Sequence, residues 1–310
     1  MKDDERLLVI RLSALGDVIH TIPAVMSLRS AFDVSWVVEA AYAELVEIVA
    51  DVKPIPVRLK KWSLAETGNA WRSVRGFDAA IDFQGLIKSA LIARASSARE
   101  RYGFAREAVR EKPAAMFYNH KVSVDQTKHV VDWNMQLAAS VWVRASARTV
   151  PAEARTHTEP DWSVYAQDPR NRLAEFKNKI VLLPGAGRAE KHWPASRFRE
   201  LVARYRNDAV VVWGPGELDL AAEIGGQIAP ETNLRELAFL MQQARIVVGA
   251  DTGPLHLADA VGTRVVGLYG PTDSRRNGPY GQPGHTIQAE TMQSITAADV
   301  MKKIDEVLAE

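Results

Sequence analysis

Short apolar, β-rich runs alternate along this chain with longer amphipathic stretches, and no other feature limits its fold as tightly. Runs at 7–12, 34–39, 54–59 and 79–82 read as strands separated by helical segments. A second series follows at 179–183, 209–213, 246–248 and 264–269, each run ending in a Gly- or Pro-rich turn. Such alternation is the signature of parallel α/β sheets, because parallel neighbours need a crossover long enough to hold a helix. Between the two series, 144–178 is polar and poor in apolar residues, which sets a boundary near 165 and gives domains 1–165 and 166–310. A length of 310 residues suits two such domains, and 47% hydrophobic content is enough to fill their cores. Near the end, Ser294 and Thr296 offer caps, and Val300, Ile304, Val307 and Leu308 recur at helical spacing, so a terminal amphipathic helix is expected. No fixed-period repeat is visible, which excludes a solenoid.

Lys and Arg number 39 against 38 for Asp and Glu, a balance that argues against bulk capture of nucleic acid. Any anionic ligand must then be met by a local cluster. Cysteine is absent, which removes disulfides, thiolate catalysis and Cys-based zinc sites and suits a reducing compartment, so a cytoplasmic protein is expected. The run at 7–12 is broken by Arg11 and is too short to cross a bilayer or to form a signal peptide. A peripheral encounter with a membrane needs no such segment.

Four polar clusters sit where these strands end. The first strand runs into Gly16-Asp17-Val18-Ile19-His20, with Pro23 suited to a first helical turn. Ligands of open α/β sheets bind at the carboxyl ends of strands, so Asp17 can face a substrate; its other reading is a helix N-cap. Ile81-Asp82-Phe83-Gln84-Gly85 leads into Lys88 and Ser89, a strand end followed by a helix. After the run at 179–183 come Gly185, Gly187, Lys191, His192, Trp193 and Pro194, glycines and a lysine suited to phosphate; the plainer reading is a solvated loop opening the next helix. After 246–248, Asp251-Thr252-Gly253-Pro254 precedes His256 and puts N–H groups at a helix start, where a pyrophosphate is favoured. Asp251 repels phosphate, leaving it to hold sugar hydroxyls or to orient Lys191, and His256 reaches a phosphate or ribose or is purely structural. Basic residues also gather at Arg58, Lys60 and Lys61 and at His120, Lys121, Lys128 and His129, where they are either solvated or a seat for an acidic sugar.

No Asp-x-Asp pair, His-Glu-x-x-His helix or clustered metal-ligand spacing occurs, so no divalent metal is implied. The Gly-x-Gly-x-x-Gly fingerprint is missing after the first strand, which counts against a nicotinamide dehydrogenase.

Taken in order, Gly16-Asp17-Val18-Ile19-His20, Asp82-Phe83-Gln84-Gly85-Leu86-Ile87-Lys88-Ser89, Lys191-His192-Trp193-Pro194, Asp251-Thr252-Gly253-Pro254-Leu255-His256 and Gly270-Pro271-Thr272-Asp273 resemble the bacterial lipopolysaccharide heptosyltransferases, glycosyltransferase family 9. The second and third of these motifs point to the type I branch. The resemblance spans almost the whole chain and implies a GT-B fold, two Rossmann-like domains facing a cleft. It implies an inverting glycosyltransferase that takes ADP-L-glycero-β-D-manno-heptose on the C-terminal domain and Kdo-lipid A on the N-terminal domain, without a cofactor. The enzyme would dock peripherally on the cytoplasmic face of the inner membrane. By the same resemblance Asp17 is the general base, and Gly187, Lys191, Asp251, Thr252, Gly253 and His256 bind the donor. Lys60, Lys61, Gln84, Lys88 and His120 fall on the acceptor side. Lys60, Lys61 and His120 stand where relatives carry arginines, and Ala186 and Gly187 replace hydroxyl-bearing residues. Two alternatives stay open: a related heptosyltransferase acting on a second core heptose or a protein, and a non-catalytic nucleotide-sugar binding module, which would need the donor turn but not Asp17.

Overall fold

The computed structural model describes residues 5–58, 73–146 and 160–310, so Lys60 and Lys61 lie outside the described residues. The chain forms two compact units, Met1–Asp161 and Trp162–Glu310. The division falls before the expected position 165 because the residues around Tyr165 are held by the second unit. Arg235 donates to the Tyr165 carbonyl at 3.1 Å and lies over its ring, while Arg172 donates to the Glu231 carbonyl at 2.8 Å.

The first unit contains β1 (Arg6–Ile10), β2 (Asp33–Glu39), β3 (Lys53–Val57), β4 (Ala79–Asp82), β5 (Glu100–Phe104) and β6 (His120–Val122). They form a parallel sheet in the order β3-β2-β1-β4-β5-β6, with Val9 beside Trp36 on one side and Ile81 on the other. Leu7, Leu8, Val9 and Ile10 are fully buried, as expected of a central parallel strand covered on both faces. Leu12 does not extend β1, because its N–H is taken by the Gln84 side chain. Helices α1 (Leu15–Ile19), α2 (Ile22–Leu28), α3 (Ala43–Val49), α4 (Ile87–Ala95) and α5 (Val130–Ser146) fill the connections. Packing of α5 on α2 is pinned by Asn134, which donates to the His20 carbonyl at 2.9 Å.

The second unit contains β7 (Ile180–Leu183), β8 (Ala209–Val211), β9 (Gln227–Ile228), β10 (Ile246–Ala250), β11 (Val265–Tyr269) and β12 (Thr286–Gln288). Their order, β9-β8-β7-β10-β11-β12, repeats that of the first sheet, and this is the doubly wound dinucleotide-binding order. The helices are α6 (Ala195–Tyr205), α7 (Leu218–Ile224), α8 (Leu234–Gln243), α9 (Gly253–Ala260), α10 (Ser274–Asn277) and α11 (Ala297–Ala309). Thr296 caps α11, accepting from the Asp299 N–H, and the helix buries Val300, Ile304 and Val307 against α6 and β11. In each sheet the winding reverses between two central strands, β1 and β4 in one and β7 and β10 in the other. The carboxyl ends at that reversal are where such sheets bind ligands.

Candidate active site

At the reversal in the first sheet, β1 passes through Arg11 and Leu12 into α1, whose third residue is Asp17. The structure removes the N-cap reading of Asp17: Ala14 holds that position, and no side chain caps the helix. Asp17 instead pairs with Arg11, its Oδ1 lying 2.6 Å from Nη2. The guanidinium is nearly buried at 8% exposure, whereas the carboxylate keeps 32%. Arg11 also donates through Nη1 to the Phe83 carbonyl at the end of β4.

The β4 end is organised by Asp82, which is fully buried. One carboxylate oxygen accepts from the Gln84 and Gly85 N–H groups at 2.8 and 3.1 Å; the other accepts from the Ser89 and Tyr118 hydroxyls at 2.7 and 2.6 Å. Burial pushes the Asp82 carboxyl above its ordinary range, and these four donors oppose that shift. Gly85 adopts φ +67, the left-handed conformation that turns its N–H toward Asp82. Gln84 Oε1 accepts from the Leu12 and Ser13 N–H groups at 2.9 and 3.2 Å, so it braces the loop leading to Asp17. Lys88 is exposed on the first turn of α4.

His120 is not brought to this edge. It begins β6, its ring stacks 4.6 Å from that of Tyr102 on the sheet face, and its Nε2 pairs with Glu100 at the start of β5. Those partners hold the side chain at the start of β6 rather than at the carboxyl ends of the strands.

At the reversal in the second sheet, the loop after β7 carries Gly185, Gly187 and Lys191. Lys191 Nζ lies 2.5 Å from Asp251 Oδ2 and 3.1 Å from the Asp251 carbonyl, while His256 Nε2 meets Oδ1 at 3.0 Å. Asp251 therefore gathers both side chains at the start of α9. Of its two open readings, the contacts match the one in which it orients Lys191. Burial pushes the Asp251 carboxyl up, but the hydrogen bonds and charges of His256 and Lys191 outweigh it and hold the group at about 2. Thr252 is the N-cap residue of α9, yet its side chain makes no cap bond; its Oγ1 is buried without a hydrogen-bond partner. The first turn of any helix leaves backbone N–H groups without intrahelical partners, and such groups favour an anion. A methyl group on Gly187 would meet nothing within 4 Å, so packing does not require a glycine there. His192 donates to the Ala186 carbonyl at 2.8 Å, and Trp193 is core, its indole N–H bonded to the Ile295 carbonyl at 2.9 Å.

Two side chains near these strand ends escaped the sequence reading. Arg11 looked like an interruption of an apolar run, and nothing local announces a partner six positions on. Glu217 follows β8 and accepts from the Gly214 N–H at 2.8 Å; its carboxylate lies so near Gly185 that a side-chain carbon there would come within 2.1 Å. The glycine-rich turn before Glu217 is the signal that could have found it. Among the described residues no group of three or more His, Asp or Glu side chains is placed to hold a metal ion.

Comparison with known proteins gives a consistent result. The model of glycosyltransferase family 9 (heptosyltransferase) matches residues 69–304. Lipopolysaccharide heptosyltransferase 1 of Escherichia coli K12 is 28% identical, covering 96% of this chain and 99% of its own. The protein of that name from Pseudomonas aeruginosa is 31% identical, covering 89% of this chain and 82% of its own. Among solved structures, E. coli heptosyltransferase WaaC with ADP has a TM-score of 0.80 at 28% identity, covering 97% of this chain and 99% of that one. The same enzyme with ADP-2-deoxy-2-fluoro heptose has a TM-score of 0.77 at 27% identity, with the same coverage.

Proposed function

We propose, proceeding from the fact that this chain belongs to glycosyltransferase family 9, that it moves L-glycero-D-manno-heptose from ADP-heptose to Kdo-lipid A in building the lipopolysaccharide inner core, with inversion at the anomeric carbon. The observation that carries this reading is the cluster of Lys191, Asp251 and His256 at the N-terminus of α9. Supporting it are the relatives, which are named lipopolysaccharide heptosyltransferase 1, and a similar enzyme solved with ADP and with a fluorinated ADP-heptose.

In this reading the second unit holds the nucleotide. Charge developing on the departing diphosphate is met by Lys191, the Thr252 hydroxyl and the helix N–H groups, all fixed before reaction, so little reorganisation is needed. Glu217, at the end of the second strand of its sheet, is suited to accept from ribose hydroxyls, as acidic residues do at that position in doubly wound folds. Asp17 on the first unit takes the proton from the acceptor hydroxyl as it attacks. One displacement, with ADP leaving from the opposite face, inverts the centre. Gly187 leaves room near the donor, and Lys88 offers a charge for an acidic acceptor. No metal or cofactor enters this scheme, because protein donors meet the diphosphate. An acceptor with a lipid anchor draws the enzyme to the cytoplasmic face of the inner membrane as a peripheral protein, and no described helix is long and apolar enough to cross a bilayer.

The test is to incubate the protein with ADP-heptose and Kdo-lipid A and to follow ADP release together with the mass of the lipid. A gain of one heptose on the lipid is the expected result. ADP release without lipid modification, or neither event, would sink this acceptor assignment.

A further inference from the structure

We propose that Arg11 is a positioning residue for Asp17, fixing the carboxylate so that one oxygen is committed to the protein and the other is presented to the acceptor hydroxyl. This rests on the reading of Asp17 as general base.

The pairing is built from three strands. Arg11's own N–H donates to the Val37 carbonyl at 3.3 Å, and its carbonyl accepts from the Trp36 indole N–H at 3.0 Å, so β2 holds the backbone. Its Nη1 donates to the Phe83 carbonyl, so β4 holds the side chain. The second Nη then lies 2.6 Å from Asp17 Oδ1. Among the described residues, Asp17 Oδ2 has no hydrogen-bond partner, and it belongs to the more exposed member of the pair. Helix α1 is only five residues long and has no side-chain cap, so it does little by itself to define the direction of Asp17. The guanidinium supplies that definition. Its planar fork serves Phe83 and Asp17 through separate nitrogens, which one lysine ammonium on a shorter stem does not reproduce. A buried cation is tolerated when both partners are kept in place, so the fold holds the geometry in order to keep Arg11 paired. A general base acts only within hydrogen-bond reach of the proton it takes, and a misplacement of about 1 Å can cost roughly 10²-fold in rate.

An ion pair that merely fastens α1 to β1 would also destabilise the protein when broken, so stability does not decide between the roles. Turnover in two backgrounds does. Arg11→Met and Arg11→Lys are made alone and together with Asp17→Asn, and kcat and both KM values are measured where circular dichroism finds each variant folded. Arg11→Met should lower kcat by roughly 10–100-fold with both KM values within about threefold. Arg11→Lys should lose less. On Asp17→Asn, where no base remains to position, Arg11→Met should change the residual kcat by less than about threefold. Equal loss in both backgrounds, or a native kcat in folded Arg11→Met, overturns the proposal. If Arg11→Met does not fold, a native kcat in Arg11→Lys overturns it instead. A native kcat in Asp17→Asn alone would remove the base reading itself, a failure visible before Arg11 is touched.

Discussion

Asp17 is a residue whose loss acts twice, since its carboxylate is both the proposed base and the anionic partner of a nearly buried guanidinium. A helix cap tolerates asparagine in place of aspartate. The partner of Arg11 does so only at a cost, because an asparagine oxygen can still accept from the guanidinium but carries no charge to offset a nearly buried cation. Asp17→Asn is expected to lower kcat by roughly 10²–10⁴-fold and the free energy of unfolding by about 1.5–3 kcal/mol, with ADP affinity unchanged. Rates taken below the variant's Tm, beside an ADP titration, check this; a native rate in the folded variant rules out the base. Lys191→Ala strips Asp251 of its lysine partner, and ADP should bind roughly 10–150-fold more weakly for a lost charge-assisted contact of about 1.5–3 kcal/mol. Native affinity by calorimetry would take Lys191 out of the site. The same variant has a pH signature. Asp251 falls from 3.8 to about 2 on folding, so its contribution is complete above the unfolded value and lost as pH drops through the folded one. The native protein should thus lose about 2 kcal/mol of stability between about pH 4 and pH 2, whereas Lys191→Ala should lose less, beginning closer to the unfolded value. Denaturant midpoints measured across that window decide it. The sequence located Asp17, Lys191 and Asp251 after strands because apolar runs precede them. It could not show that Arg11 and Asp17 meet, since that depends on how a turn directs two side chains and on a carbonyl 72 positions away.

Helix α9 shows what an element adds to its residues. Thr252 occupies its N-cap position without capping it, leaving a buried hydroxyl with no partner. Unsatisfied buried polar groups cost about 1–3 kcal/mol, so Thr252→Val, which keeps the shape, should leave the protein at least as stable as native. It should nonetheless weaken ADP binding if that hydroxyl meets the diphosphate. Thermal melts and ADP titration of one variant test both halves, and unchanged ADP affinity would free Thr252 from the donor site. At this scale the central strands were legible, while β5, β6, β9 and β12 were not. Central strands are covered on both faces and read as unbroken apolar runs. The missed ones lie toward the sheet edges and are short or mixed, as in the two residues of β9 or the Glu-Arg-Tyr-Gly-Phe sequence of β5. Missing β6 also hid where His120 sits, because its place on a sheet face follows from pairing with β5.

At the scale of the whole molecule, cations belonging to the protein rather than a bound ion are proposed to meet the donor's charge. Turnover in the presence of a strong chelator should therefore stay within about twofold of the untreated rate, since protein donors alone can stabilise the developing charge. A loss restored by added magnesium would show that an ion shares the diphosphate with Lys191. The strand order common to both sheets bears on how such an enzyme diversifies. Each sheet has its own reversal of winding, and in the proposed reading one holds the acceptor and the other the donor, so changes that retune one substrate need not disturb the residues that hold the other. A chimera tests that proposed independence. Residues 162–310 of this chain, joined to the first half of a family member with a different acceptor, should bind ADP within about threefold of the parent, given the limited coupling expected of distant sites. An ADP affinity that followed the grafted half would mean that the halves have been inherited as a single recognition unit.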